Sequence, residues 1–171
     1  MNGEKIVVRI MRREDAEVFA REEIAQGWIH ASPEKLLARL ADAEKGLCAA
    51  WTAELDGAPA GYVSLYHCAG NGPFAGKGVP EIVDLNVLEK FRRRGVASAL
   101  MDAAEALAAK ESRIASIGVG LHSGYGAAQR MYVRRGYVPD GSGAWDHGRP
   151  AEPYGMCENG DELVLYLSKE I

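Results

Sequence analysis

Glu81-Ile-Val-Asp-Leu-Asn-Val-Leu-Glu-Lys-Phe-Arg-Arg-Arg-Gly-Val-Ala-Ser-Ala-Leu100 is the stretch that decides the fold. Residues 81–88 read as a short apolar strand, Lys90 to Arg94 as a basic turn, and 95–110 as a helix beginning close to Gly95. Strand, turn and helix N-terminus in that order build an anion site. The first helical turn has backbone N–H groups without intrahelical partners, and the helix dipole makes them favour negative charge. Gly95 and Ala97 carry little or no side chain, so a ligand can lie against the backbone there. Lys90, Arg92, Arg93 and Arg94 place four cations within five residues. The simplest ligand for such a turn is a phosphate or pyrophosphate.

Two motifs then point to a family. Arg92-Arg-Arg-Gly95-Val-Ala97 fits the pattern Arg/Gln-x-x-Gly-x-Gly/Ala. About 30 residues on, Ala128-Gln-Arg-Met-Tyr132-Val-Arg-Arg-Gly136-Tyr137 fits Ala-x-x-x-Tyr followed by Gly-Phe/Tyr. In these residues the chain resembles the GNAT superfamily of acetyl-CoA-dependent N-acetyltransferases, most closely over 81–139. The resemblance implies an α/β (α+β) fold: a mixed, strongly twisted sheet of about seven strands flanked by about four helices. It also implies that the sheet is splayed where the fourth and fifth strands part, and that residues 1–171 form a single catalytic domain.

Length and composition agree with a globular chain. At 171 residues it can bury a substantial core in one domain. A net charge of −4 argues against nucleic acid as a partner, because the arginine cluster is local and the rest of the chain is acidic. Cys48, Cys68 and Cys157 have no metal-ligand spacing and are odd in number, a poor basis for a disulfide framework. No signal peptide, lipidation motif or bilayer-length apolar run is present in the sequence, so the expected setting is cytoplasmic, with reduced thiols and no membrane partner. Oligomeric state is left open, a homodimer included.

Upstream of the central stretch, residues 5–10 read as a first strand and 15–26 as a helix, with Gly27 past its end. Trp28 and His30 fall in a connection, either as a lid on the core or as part of a pocket. Ser32-Pro33 predicts a helix start with Ser32 as the cap, and Leu36, Leu37, Leu40 and Ala41 supply its apolar stripe. Leu47–Leu55 and Ala60–His67 flank Asp56-Gly57 as a β-hairpin, since both turn positions suit positive φ. Residues 69–80 form a glycine-rich loop. Its Gly76-Lys77 lacks the rest of a nucleotide-binding P-loop, which leaves a mobile loop beside the central strand.

Downstream, Val96, Leu100, Ala103 and Leu107 are the expected core face of the central helix. Residues 113–121 alternate as a strand, with Ser116, Gly118 and Gly120 on one face. That bare face invites close approach, either by a ligand or by a helix packing flat on it. Ser123 is a candidate cap for a helix over 124–135. Tyr137-Val138 starts a short strand and Leu163–Leu167 forms the last one. Between them, about 140–161 reads as a long loop carrying Trp145, His147 and Tyr154, a candidate acceptor surface.

Acetyl transfer to an amine needs a grip on coenzyme A and a donor for the carbonyl oxygen. It also needs a route for the ammonium proton and stabilisation of the leaving thiolate. By resemblance, the grip comprises Arg92, Arg93, Arg94, Gly95, Val96, Ala97 and Ser98. Leu85 and Val87 meet the thioester carbonyl and the pantetheine arm, and Tyr132 faces the thioester sulfur. Glu81, eleven residues before Arg92, is the first candidate base and Asp84 the second. Strand parity puts Glu81 on the face of Leu85 and Val87 if no bulge intervenes. Tyr125 stands where many members carry Asn, which puts one pantetheine contact in doubt, and His122 is a polar substitute. The function implied is direct transfer from acetyl-CoA, without a metal, to a primary amine on a small molecule or a protein. The alternative is a non-catalytic acyl-CoA-binding domain of the same fold.

Overall fold

A computed structural model describes residues 4–171, in two compact units. The first comprises the chain up to Tyr66 together with Val83–Leu107; the second comprises His67–Ile82 and Ala108–Ile171.

The first unit holds β1 (Ile6–Ile10), α1 (Arg13–Ala25), α2 (Glu34–Glu44), β2 (Cys48–Leu55) and β3 (Ala58–Tyr66). It also holds most of β4 (Glu81–Val87) and of α3 (Val96–Glu111). Its strands run in the order β1-β2-β3-β4. β2 pairs antiparallel with β1 and with β3. Asp56 and Gly57, at φ 51° and 82°, form the expected two-residue turn, whose left-handed residues match the twist of the strands they join. Its core gathers Met11, Ala16, Phe19, Leu36, Ala50, Tyr62 and Leu88, with the Phe19 and Tyr62 rings edge to face at 4.8 Å. On α3, Val96, Leu100, Met101, Ala104 and Ala108 are the fully buried positions, while Ala103 and Leu107 are only half-buried. The buried stripe keeps helical three- and four-residue spacing but is centred on Leu100, Met101 and Ala104 rather than on Ala103 and Leu107.

Two helix starts differ from expectation. α2 begins after Pro33, whose carbonyl accepts from Leu37 N–H, and the Ser32 hydroxyl bonds the Glu34 carboxylate instead of capping the helix. At α1 it is Asp15 that reaches back, accepting from Arg12 N–H at 2.7 Å. The same carboxylate takes the Arg9 guanidinium at 2.7 and 2.8 Å and the Thr52 hydroxyl at 2.9 Å. Burial alone would raise the Asp15 pKa, but these donors outweigh it and hold it below the usual carboxylate value.

The second unit contains Glu81 and Ile82 of β4, then β5 (Ile114–Gly120), α4 (Gly126–Arg134), β6 (Val138–Asp146), β7 (Arg149–Pro150) and β8 (Leu163–Glu170). Its order is β4-β5-β8-β6-β7. β4 and β5 pair in parallel through Glu81↔Ser116 and Ile82↔Ile117; the other pairs are antiparallel. Much of the expected 140–161 loop is thus strand. β6 pairs with β8, and His147 and Gly148 (φ 47° and 73°) turn the chain into β7. This short β7 makes eight strands where about seven were expected.

The bare face of β5 is covered by tyrosine rings rather than by a helix. A Cβ on Gly118 would lie 3.2 Å from the Tyr166 ring, and one on Gly120 would lie 2.4 Å from the Tyr125 ring. The glycine-rich loop is tied down by Ala69 N–H to Val79 and Gly76 N–H to Ala69. Its Gly72, at φ 72°, lies flat against Tyr166.

Candidate active site

β4 departs from a regular strand at Asp84, whose φ of 57° is left-handed. A left-handed residue inside a strand breaks its regular two-residue alternation. Period-two reasoning therefore cannot carry Glu81 to the face of Leu85 and Val87. The Asp84 carboxylate is occupied as well. Arg39 Nε donates to it at 2.6 Å, and Arg39 also donates to the Tyr66 hydroxyl, which in turn donates to Asp42 at 2.6 Å. Burial, followed by the Asp42 bond, pushes Tyr66 up to about 12.

After β4 the chain makes a 3-10 turn over Glu89–Phe91 and reaches α3 through Arg93 and Gly95, both left-handed at φ 60° and 85°. The Gly95 carbonyl accepts from Ala99 N–H, so the N–H groups of Val96, Ala97 and Ser98 precede any carbonyl of the helix that could accept them. Of the four cations, three are committed locally. Lys90 meets Glu22 at 2.5 Å, Arg92 donates to the Val87 carbonyl and pairs with Glu89, and Arg94 grips Glu4 at 2.5 and 2.9 Å. Arg93 is exposed and has no ion pair among the described residues. The turn is therefore less cationic than its sequence suggests. What it offers an anion is backbone N–H groups, the helix dipole and one available guanidinium.

Gly95 is constrained on two counts. Its φ excludes most side chains, and a Cβ would lie 3.3 Å from Ile6 Cδ1.

In the second unit, Tyr132 lies on α4 and is 5% exposed. Its hydroxyl has no hydrogen-bond partner among the described residues, and burial, with a smaller contribution from Tyr125, raises its pKa well above 10. The ring is enclosed, but the hydroxyl oxygen is not sealed from solvent. Glu81 is half-buried at the start of β4. Its charge adds to burial in raising the pKa of Tyr166.

Tyr125 closes over Gly120 and donates to Asp161 at 2.9 Å, while His122 Nε2 meets the same oxygen at 3.0 Å. His122, not Ser123, caps the turn, accepting from Gly124 N–H at 3.1 Å. Trp145 is held by an edge contact to Tyr166 and a bond from Nε1 to the Ser142 hydroxyl at 2.8 Å. Tyr154 is fully exposed.

One group escaped sequence reasoning. Glu23, Tyr62 and Asn86 converge in the first unit, with Glu23 Oε1 accepting from the Tyr62 hydroxyl at 2.6 Å and from Asn86 Nδ2 at 2.7 Å. Their separations of 39 and 63 residues leave no local signature.

The fold has relatives among solved structures, several of them at 13–18% sequence identity. The chain is similar to PaiA N-acetyltransferase from Thermoplasma acidophilum, solved in complex with coenzyme A (18% identity, 98% of this chain and 99% of that one, TM-score 0.65). It is similar to an N-acetyltransferase from Staphylococcus aureus Mu50 (13%, 97% and 98%, TM-score 0.70). A third is YncA from Salmonella typhimurium, solved with its cofactor acetyl-CoA (14%, 96% and 93%, TM-score 0.66). No curated protein matches at a significant level. No helix among the described residues is long and apolar enough to cross a membrane. Residues 11–137, which contain both sequence motifs, match the acetyltransferase (GNAT) family, and the chain belongs to that family.

Proposed function

We propose that the protein transfers the acetyl group of acetyl-CoA directly to a primary amine. The observation that carries this reading is the left-handed approach through Arg93 and Gly95 to the open N-terminus of α3, a cradle for the pyrophosphate of coenzyme A. The neutral amine nitrogen attacks the thioester carbonyl carbon. The C–N bond forms, the C–S bond breaks, and the amine proton leaves as the thiolate departs.

Leu85 N–H serves the carbonyl oxygen, Val87 the pantetheine arm, and Tyr132 the departing thiolate. A phenol with a raised pKa is a poor proton source against a thiol near 8.5, so Tyr132 acts mainly by hydrogen bonding to the thiolate. Glu81 takes the amine proton through water. Asp84, ion-paired with Arg39, has the weaker claim to that role.

The test incubates the protein with acetyl-CoA and a panel of primary amines, following thiol release and the mass of the product. Acetylated product is expected. Calorimetric binding of acetyl-CoA with no product from any amine would instead support the non-catalytic acyl-CoA-binding alternative. In active protein, Glu81→Gln should be impaired at pH 7 and recover towards pH 10, where the amine is already largely neutral. Equal impairment at every pH would return Glu81 to a binding or structural role.

A further inference from the structure

Glu23 is the one buried residue in the wall of a solvent-open cavity of about 390 Å³ between α1 and α2. It is 6% exposed, and its two oxygens are used unequally. Oε1 takes both internal donors, Tyr62 and Asn86, whereas Oε2 accepts no hydrogen bond among the described residues. Oε2 is not sealed from solvent, so a cationic donor entering the cavity can reach it. Across the cavity wall, Lys35 Nζ donates to the Tyr62 hydroxyl at 3.0 Å, so a single phenol separates a fixed cation from a fixed anion. Lys35 is exposed and keeps N–H groups for a ligand. Trp28, 42% exposed, with Ile29 and Ala31 supplies an apolar part of the wall, and Gly27, His30 and Ser32 complete it.

We infer that this cavity is the acceptor site and that it takes a zwitterion, an α-amino acid with an apolar or aromatic side chain. The ammonium binds Glu23 Oε2, the carboxylate binds Lys35, and the side chain lies against Trp28. The inference rests on the acetyltransferase reading for its consequence, acetylation of the α-amine. Asn86 supports the assignment, because it ties Glu23 to β4 between Leu85 and Val87, the two residues assigned to the acetyl donor. The cavity size suits a small molecule held at both charged ends. A carboxylate and an ammonium held apart by one hydroxyl discriminate against a simple monoamine, which would leave Lys35 without a counter-charge.

The test is calorimetric titration of L-phenylalanine, L-methionine and L-leucine, with and without coenzyme A. Phenethylamine and 3-phenylpropionate are the single-charge controls, and acetyl-CoA is titrated separately. The expected result is binding of the amino acids with each control at least tenfold weaker. Glu23→Gln and Lys35→Met should each lose at least tenfold for the amino acids while keeping acetyl-CoA affinity. Gln at 23 can still accept from Tyr62 and Asn86, so that variant tests charge rather than folding. Absence of amino-acid binding at millimolar concentration, phenethylamine binding as tightly as phenylalanine, or unchanged affinity in either variant overturns the inference. Loss of acetyl-CoA binding in the separate titration would instead strike the acetyltransferase reading.

Discussion

Arg39 Nε donates to Asp84 Oδ2 at 2.6 Å, and the aspartate it holds is the left-handed residue of β4. The ion pair stabilises a backbone conformation that most L residues resist by about 1–2 kcal/mol. Asp84→Ala removes the pair and retains the strain, so it should cost about 2–3 kcal/mol in urea unfolding. Asp84→Asn tolerates positive φ and should cost less. A double-mutant cycle with Arg39→Met that shows no coupling would mean the pair does not hold the strand.

Tyr132→Phe separates two roles that usually blur. Because the hydroxyl has no partner among the described residues, removing it should leave the melting temperature nearly unchanged. If the hydroxyl meets the leaving thiolate, kcat should fall about 10²-fold with acetyl-CoA affinity nearly unchanged. A fall in stability with full turnover would return Tyr132 to the core.

Arg93 and Arg94 are neighbours with opposite commitments. Arg94 is spent on Glu4, whereas Arg93 has no ion pair among the described residues. Arg93→Ala should weaken acetyl-CoA binding about tenfold and reduce its salt dependence, and Arg94→Ala should do less. Equal losses would mean that Glu4 releases Arg94 to the ligand. Gly95 is a poorer probe, because even Gly95→Ala strains the backbone and crowds Ile6 before any ligand is considered.

Asp15 predicts an acid limit. Its folded pKa lies below its unfolded value of about 3.9. The stability it contributes is therefore complete above that unfolded value and is lost as pH falls through the folded value. Asp15→Asn should destabilise by about 3 kcal/mol at pH 7, because Arg9 is left partly buried with one partner fewer. The difference between variant and parent should close below about pH 4 in denaturant titrations. A constant difference across pH would assign the loss to packing.

The legible parts of the fold were those whose causes are local. The strand, turn and helix around residues 81–111, and the Asp56-Gly57 hairpin, depend on neighbours in sequence. β6 was read at its start but not over its length, because Pro139, Gly141 and Gly143 are poor strand formers and its strand character comes from pairing with β8. Trp145 consequently belongs to packing against Tyr166, not to a free acceptor loop. Nor did the period of β4 announce its break, since Asp at position 84 suits either backbone region. The Glu23 group was invisible for another reason: each partner is unremarkable until folding brings distant residues together.

β8 lies between β5 and β6, yet it is made after both of them. During synthesis, β5 and β6 must therefore wait without the strand that satisfies their facing backbone groups. Two exposed strand edges in a half-made unit invite pairing with other chains. Translation speed over residues 147–170 is then expected to influence how much of the protein escapes aggregation. Slowing that segment with rare codons should lower soluble yield without altering the melting temperature of what survives.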